Sequence, residues 1–226
     1  MTLELFFHPL ASFCHKALIA LYEHGTAFDP VIVDLGDDAS RKAFADVWPL
    51  MKFPVLRDRE RGSVVAESTT IIEFIDAFHA GGTRLIPTEA ETAWQVRMWD
   101  RIFDQYVQLP MQKIVGDRIR PSGSRDAYGV AEAEAQLRAA YDFLESRLSP
   151  GPWVLGGAFT LADCSAAPAL FYANAVAPFG DSEPVLRAYL TRLMSRPSFA
   201  RVLAEAEPYF HMFPMPQKLS RHPPAA

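Results

Sequence analysis

The sequence is short of cysteine, with only Cys14 and Cys164 among its 226 residues. Two cysteines can build neither a disulfide framework nor a four-ligand zinc site. Their wide separation along the chain is typical of a protein that stays reduced, because disulfide-dependent folds use paired cysteines. We therefore expect a cytoplasmic location and no bound metal.

Clustered positive charge is also lacking. The chain has 22 Lys and Arg residues against 27 Asp and Glu residues, a net charge of −5, and its longest basic run is Arg41-Lys42. Binding to a phosphate backbone or to an anionic lipid surface needs clustered cations. We expect neither a nucleic acid nor a membrane as a partner.

Long uninterrupted apolar runs are absent as well. The least polar stretch, residues 159–179, contains Asp163, Asn174 and two prolines. These interruptions favour a helix buried in a folded domain over a membrane span. Residues 1–4 place no basic segment ahead of an apolar core, so no signal peptide is predicted.

The first 80 residues alternate strand and helix patterns. Apolar and β-branched runs predict strands at residues 3–7, 28–33, 54–56 and 63–66. Helical spacing predicts helices at residues 12–24, at residues 40–47 and from Ser68 onward, with Gly25 as a C-terminal cap. This order indicates a small α/β domain with a mixed sheet over residues 1–80.

Strand patterns end at residues 81–88, which begin with two glycines and form the predicted linker. Residues 89–226 predict an all-helical domain, with helices at 89–118, 125–148, 160–176, 184–194 and 198–206. Pro110 is expected to bend the first of them. The tail from Pro208 is proline-rich but apolar, so it is expected to pack on the helices or fold back over a cleft.

Two short motifs in the first domain offer binding chemistry. A cis bond before Pro54 would expose the main chain of Phe53 to an extended peptide, whereas a trans bond would make an ordinary edge strand. Glu67-Ser68 lies where a strand passes into a helix, whose N-terminus binds a carboxylate while Glu67 pairs with an amino group. The alternative is that Ser68 is a plain N-cap.

The order of these motifs resembles the cytosolic glutathione S-transferase family, of the theta, zeta or omega type found in bacteria. The resemblance rests on F-x-x-V-x-P-L-x-K-F-P-V-L from Phe44, on E-S-x-x-I from Glu67, and on the segment from Trp153 to Asp163. In that last segment Thr160 and Asp163 have the spacing of a helix capping box. The resemblance implies a thioredoxin-like α/β domain with a mixed sheet, followed by an all-α helical bundle.

By the same resemblance, glutathione is the co-substrate and lies along the first domain. Its γ-glutamyl carboxylate would meet Ser68, its amino group Glu67, and its cysteinyl main chain Phe53 beside cis-Pro54. Its glycine carboxylate would lie near Lys52, with Arg41 or Lys42 as helpers. The alternative for Lys52 is a solvated lysine at the sheet edge.

Activation of the thiol is the open point, because Ala11 stands where most subclasses have a serine. Three alternatives follow. In the first, Ser12, one residue later, donates a hydrogen bond to the thiolate. In the second, the amides at the start of the helix stabilise the thiolate without a hydroxyl, with Cys14 nearby. In the third, the protein is a binding protein that does not catalyse transfer. Cys14 is either a redox thiol or a small residue packed against the sheet.

A second substrate would need an apolar pocket. Five residues recur at helical spacing on the first helix of the second domain and either line that pocket or pack in the core: Trp99, Phe103, Tyr106, Val107 and Met111.

The resemblance implies a homodimeric, detoxifying glutathione transferase whose bound thiolate attacks a small hydrophobic electrophile. Other functions on the same fold are glutathione-dependent isomerisation or thiol reduction, ligand carriage, and a non-catalytic regulator like stringent starvation protein A, which binds RNA polymerase.

Overall fold

A computed structural model describes residues 2–79, 81, 83–148 and 151–223. It divides into two compact units, the N-terminal unit Met1–Ile86 and the C-terminal unit Pro87–Ala226. The division lies within the predicted linker, of which Gly82 is outside the described residues. The end of the predicted tail, residues 224–226, is outside them too.

The N-terminal unit has a four-stranded mixed sheet with the strand order β2-β1-β3-β4. β1 pairs parallel with β2 and antiparallel with β3, which pairs antiparallel with β4. The strands are β1 Leu3–Phe7, β2 Asp29–Ile32, β3 Val55–Asp58 and β4 Ser63–Ala66. The helices are α1 Ser12–His24, α2 Asp38–Val47 and α3 Ser68–Phe78. This is the predicted thioredoxin-like arrangement, and the four strands and three helices are confirmed.

Local signals explain most of these boundaries. α1 ends as predicted because Gly25 adopts a φ of 65° at its C-cap, a conformation that favours glycine. α2 starts two residues earlier than predicted because the side chain of Asp37 accepts a hydrogen bond from the Ser40 N–H at 2.7 Å. Asp37 is therefore the N-cap that the sequence interpretation overlooked.

A charged cluster joins β1 and β3 at the sheet. The buried Glu4 carboxylate accepts hydrogen bonds from Arg59 and from Arg57, the latter at 2.6 Å. The hydrogen bonds from Arg59 and then from Arg57 lower the pKa of Glu4 to about 2, against the effect of burial. Glu4 therefore remains a carboxylate over the whole neutral range and holds the two arginines at this strand pair.

The described part of the C-terminal unit is helical, as predicted. Its α-helices are α4 Ala90–Ile102, α5 Leu109–Arg118, α6 Ala127–Arg147, α7 Leu161–Val176, α8 Pro184–Ser195 and α9 Pro197–Ala206. α7, the least polar stretch of the chain, is buried over most of its length. Among the described residues, no helix is both long enough and apolar enough to cross a membrane.

The predicted helix at residues 89–118 contains an irregularity. α4 and α5 are joined by a π-helical segment, Phe103–Gln108, which ends two residues before Pro110. Proline lacks an N–H and its ring clashes with the carbonyl four residues earlier, so a wider turn before it relieves that clash. The predicted effect of Pro110 thus takes the form of a π-helical turn.

α7 begins with a capping box. The buried Asp163 carboxylate accepts hydrogen bonds from the Thr160 N–H at 2.9 Å, the Val154 N–H at 3.0 Å and the Tyr189 hydroxyl at 2.6 Å. The Thr160 hydroxyl lies 3.1 Å from the same carboxylate. The structural role expected for Thr160 and Asp163 is confirmed, and this carboxylate also ties α8 to the start of α7.

The apolar tail packs on α7. The ring of Phe210 lies 6.2 Å from that of Phe171, and the ring of Phe213 lies 5.8 Å from that of Tyr172. Residues Glu207–Met212 form a 3₁₀-helix. Of the two expected positions, the structure therefore has the tail on the helices.

Candidate functional site

Three chain segments meet at one edge of the sheet. β1 ends at Phe7, β3 begins at Val55 and β4 ends at Ala66. Because Phe6 pairs with Val55 and Val55 pairs with Ala66, these strand ends are neighbours. The segment after β1, the segment before β3 and the segment after β4 therefore leave the sheet side by side, and they carry most of the predicted site residues.

The Phe53–Pro54 peptide bond is cis, the isomer that the family resemblance implies. Phe53 lies before Val55, the first residue of β3 in register with β1, so its main chain is outside the strand pairing. The Phe53 ring packs against the core cluster of Phe6, Val33, Phe44 and Val55. It also stacks on His8 with 6.2 Å between ring centroids, which joins the segments after β1 and before β3.

The start of α3 is an uncapped helix N-terminus. Its N-cap is the exposed Glu67, whose side chain makes no capping hydrogen bond and whose φ is 67°. The plain N-cap interpretation of Ser68 is therefore wrong, since Ser68 is the first helical residue and is buried. A positive φ in a residue other than glycine costs about 1–3 kcal/mol and is concentrated at functional sites. The free helix end attracts an anion.

α1 also starts without a side-chain cap. Its N-cap is Ala11, whose carbonyl accepts hydrogen bonds from the N–H groups of Cys14 at 2.8 Å and His15 at 3.0 Å. Ser12 is the first helical residue and is only 6 % exposed. The first hydroxyl of α1 therefore belongs to Ser12, one residue after the position that most subclasses use.

Cys14 lies on α1 and is buried. Its side chain is fully buried, and this burial raises the pKa of the Cys14 thiol, although a hydrogen bond donated by the His8 main chain acts in the opposite direction. A protonated, inaccessible thiol is a poor nucleophile. The environment therefore favours the packing interpretation of Cys14 over a catalytic or redox role.

Two histidines flank the start of α1, and both are neutral near pH 7. Burial lowers the pKa of His15 to about 4, and its Nε2 lies 2.6 Å from the Pro9 carbonyl, to which it donates. Burial also lowers the pKa of His8, whose Nδ1 accepts a hydrogen bond from the Leu10 N–H at 3.2 Å. Neither supplies a positive charge to this edge.

The three basic residues predicted to lie near the glycine carboxylate of glutathione, Lys52, Arg41 and Lys42, are all at the surface. Lys42 and Lys52 are exposed, and the Arg41 guanidinium donates to Asp38 at 2.7 Å within α2. Lys52 stays the predicted residue for that carboxylate, with Arg41 or Lys42 as helpers.

Sequence reasoning missed one buried cation, Lys16. Its side chain is 1 % exposed, and its Nζ donates to the Thr69 hydroxyl of α3 at 2.8 Å. α1 is buried over most of its length, and its buried residues include the polar Ser12 and His15 beside Lys16.

The predicted second-substrate residues divide into two groups. The side chains of Trp99, Phe103, Val107 and Met111 are buried within the C-terminal unit, which favours the core-packing alternative. Tyr106, in contrast, is 64 % exposed. Of this stripe, only Tyr106 presents its ring to solvent.

An open groove of about 400 Å³ lies between α5 and α6. Gln105, Lys113 and Tyr128 are among its lining residues, whereas the five predicted pocket residues are not. Lys113 also forms an ion pair with Asp126, the N-cap of α6. The groove is therefore a different place from the predicted second-substrate pocket.

Comparison with known proteins gives the family. The model of the glutathione S-transferase N-terminal domain matches residues 11–77, and that of the C-terminal domain matches residues 127–192. The chain belongs to the glutathione S-transferase family. The two matched ranges fall in the two structural units, so the α/β unit and the helical unit are the two domains of this family.

Within the glutathione S-transferase family, the chain is similar to plant enzymes. It is 26 % identical over 208 residues to glutathione S-transferase F7 of Arabidopsis thaliana, covering 89 % of this chain and 99 % of that protein. Glutathione S-transferase F6 of the same plant is 28 % identical over the same length and coverage. These relatives do not single out the theta, zeta or omega type.

Solved structures of bacterial family members share the fold. A glutathione S-transferase from Methylobacillus flagellatus with glutathione bound superposes with a TM-score of 0.80 at 24 % identity, covering 88 % of this chain and 98 % of that one. One from Methylobacterium radiotolerans in complex with glutathione sulfonate gives a TM-score of 0.76 at 25 % identity, covering 88 % and 93 %. The expected fold class is thereby confirmed.

Proposed function

We propose that this family member is a glutathione transferase, in which the thiolate of glutathione attacks a small hydrophobic electrophile. One observation carries the proposal: the main chain at Phe53–Pro54, the uncapped start of α3 and the start of α1 lie at one edge of the sheet. These supply main-chain groups outside the strand pairing for the peptide, a helix end for a carboxylate and a hydroxyl for the thiol. Relatives with glutathione or its sulfonate bound support this.

Each part of the site has a distinct task in this proposal. The main chain of Phe53 holds the cysteinyl residue, and Ser68 with the N–H groups of α3 holds the γ-glutamyl carboxylate. Glu67 pairs with the amino group, and Lys52 meets the glycine carboxylate. Ser12 donates a hydrogen bond to the thiolate, which favours the anion near neutral pH. Transfer then follows from anion stabilisation and positioning.

Ser68→Ala is expected to weaken glutathione binding about tenfold, because it removes one hydrogen bond to a charged group. Isothermal titration calorimetry with glutathione measures this. Ser198→Ala is the matched control, since Ser198 is a buried serine in the first turn of α9, in the other unit. Wild-type protein that binds no glutathione at millimolar concentration would contradict the proposed function.

We also propose that the chain acts as a homodimer in the cytoplasm. The support on the protein itself is an apolar surface on α4, where Trp94 is 51 % and Met98 is 42 % exposed. The two are four residues apart and share one helix face. Large exposed apolar patches are typical of interfaces.

Sedimentation velocity at micromolar concentration is expected to show a particle of twice the 25.2 kDa chain mass. The double variant Trp94→Glu, Met98→Glu is expected to sediment as a monomer, because two carboxylates would have to be buried without partners. Ile119→Glu, at another exposed apolar residue, should leave the dimer intact. A monomeric wild type would contradict the proposal.

A further inference from the structure

The groove between α5 and α6 has no part in the proposed reaction. Its volume of about 400 Å³ is within the size range of small-molecule sites in proteins. All of its lining residues belong to the C-terminal unit, whereas the proposed glutathione site belongs to the N-terminal unit. The groove therefore needs a ligand of its own if it binds one.

The α6 wall of the groove presents an aromatic ring and a carboxylate side by side. Tyr128 and Glu132 are four residues apart in α6, so they share one face of that helix. Tyr128 is 76 % exposed, and Glu132 is exposed as well. Neither side chain makes a hydrogen bond, ion pair or ring contact with another residue of the part of the chain that the structure describes. A carboxylate beside an open aromatic face is a pair of groups that attracts an ammonium.

The lysine of the groove is already paired. Lys113 forms an ion pair with Asp126, whose carboxylate also accepts the Gly129 N–H at 2.8 Å as the N-cap of α6. Gly129 makes room for this pair, since a Cβ at that position would lie 2.7 Å from the Lys113 Nζ. Because Lys113 and Asp126 compensate each other, Glu132 gives the lining residues a net negative charge.

The rest of the lining is partly apolar. Leu109, at the start of α5, is 49 % exposed, and the buried Pro110 and Ala133 also line the groove. Covering these side chains stabilises a ligand that has an apolar body. An anion is disfavoured because it meets the Glu132 carboxylate while Lys113 is already paired. A neutral apolar ligand is disfavoured because it desolvates Glu132 without a compensating charge.

We propose that this groove is a binding site for a small organic cation, an ammonium attached to an apolar body. The ammonium lies between the Tyr128 ring and the Glu132 carboxylate, and the apolar body packs on Leu109. Such a site gives the chain a ligand-binding capacity that is separate from transfer and does not depend on the proposed glutathione chemistry.

Equilibrium dialysis with three naphthalene compounds of similar size tests the proposal. Near pH 7, 1-naphthylmethylammonium carries a positive charge, 1-naphthylmethanol no charge and 1-naphthoate a negative charge. At about 0.15 M salt, the ammonium is expected to bind the wild-type protein about tenfold more tightly than the alcohol, because it alone gains the ion pair and the cation–π contact. The naphthoate is expected to bind most weakly.

Single substitutions locate the ammonium. Glu132→Gln is expected to weaken ammonium binding about fivefold and to leave alcohol binding unchanged, because it removes the charge at nearly constant volume. Tyr128→Leu should weaken ammonium binding by a similar factor. Glu134→Gln is the matched control, since Glu134 is an exposed glutamate of α6 that does not line the groove.

Lys113→Met is expected to have the opposite effect. It removes a cation and leaves Asp126 as a second unpaired carboxylate in the groove. The ammonium should therefore bind about two- to fivefold more tightly to this variant than to the wild-type protein.

The outcomes are distinct. A preference for the ammonium that Glu132→Gln and Tyr128→Leu lower and Glu134→Gln retains would support the proposal. Equal affinities for the ammonium and the alcohol, or no ammonium binding at millimolar concentration, would overturn it. Tightest binding of the naphthoate, lost in Lys113→Met, would assign the groove to anions and overturn it too.

Saturating glutathione separates this site from the proposed glutathione site. The affinity for the ammonium is expected to stay unchanged, whereas competition between the two ligands would contradict a site in the groove. Wild-type protein that binds the ammonium but no glutathione would overturn the proposed function and support the groove as a separate site.

Discussion

The Asp163→Ala variant is expected to lose about 4 kcal/mol of unfolding free energy. The carboxylate is fully buried and faces donors from Val154, Thr160 and Tyr189, so its removal leaves several buried donors without an acceptor. Each such donor costs about 1–3 kcal/mol, and relaxation recovers part of the sum. The loss falls on the start of α7, the most deeply buried helix of the chain.

Urea unfolding followed by tryptophan fluorescence measures this loss. Three of the four tryptophans, Trp94, Trp99 and Trp153, lie in the C-terminal unit, so the signal reports mainly on the unit that contains Asp163. Asp142→Ala, on the exposed face of α6, should stay within about 0.5 kcal/mol of wild type.

Asp163→Asn should lie between the wild type and Asp163→Ala. The amide oxygen of asparagine can still accept hydrogen bonds, whereas its amide nitrogen is a donor and cannot accept them from the surrounding donors. A loss below about 1 kcal/mol in Asp163→Ala would contradict the role given to this carboxylate.

The Ser12→Ala variant is expected to raise the pKa of the thiol of bound glutathione by at least about one unit. A hydrogen bond to a charged acceptor is worth about 1.5–3 kcal/mol, and one pKa unit corresponds to about 1.4 kcal/mol. The thiolate is then the rarer form near pH 7, so kcat/KM for an aryl halide should fall about tenfold there. The difference from wild type should shrink as the pH rises above the raised pKa, where both proteins hold the thiolate.

Ultraviolet absorbance of the thiolate, titrated against pH, gives the pKa directly. Ser198→Ala is the control, since Ser198 is also 6 % exposed and belongs to the other unit. Cys14→Ala should leave the titration unchanged because the Cys14 thiol is buried and protonated. An unchanged titration in Ser12→Ala would remove Ser12 from the mechanism and leave the helix-end amides of α1 as the activating groups.

Much of the secondary structure follows from short-range signals. β1 and α1 have the predicted bounds, because alternation of apolar residues, helical spacing and a C-terminal glycine are properties of neighbouring residues. The capping box at Thr160 and Asp163 was visible for the same reason, as its two members are three residues apart. Where a boundary was wrong, as at Asp37, a local cap had been overlooked.

The site was predictable only in part. The segments at Phe53–Pro54 and Glu67–Ser68 were found through the order of motifs, and the strand pairing shows why they converge. Burial was not predictable in this way. The periodicity of Trp99 and Phe103 fits a pocket wall as well as a core, and only the packing of the helices distinguishes the two.

The sequence by itself determined the two-part organisation, the helices and strands, and the family pattern, since each depends on residues close together in the chain or on their order. Only the tertiary structure decided the states of Cys14 and Lys16. Both lie on α1, and their surroundings depend on what packs against that helix. Burial raises the pKa of the Cys14 thiol, while the side chain of Lys16 donates to Thr69, 53 residues away. Charge and accessibility depend on neighbours in space, which local sequence does not specify.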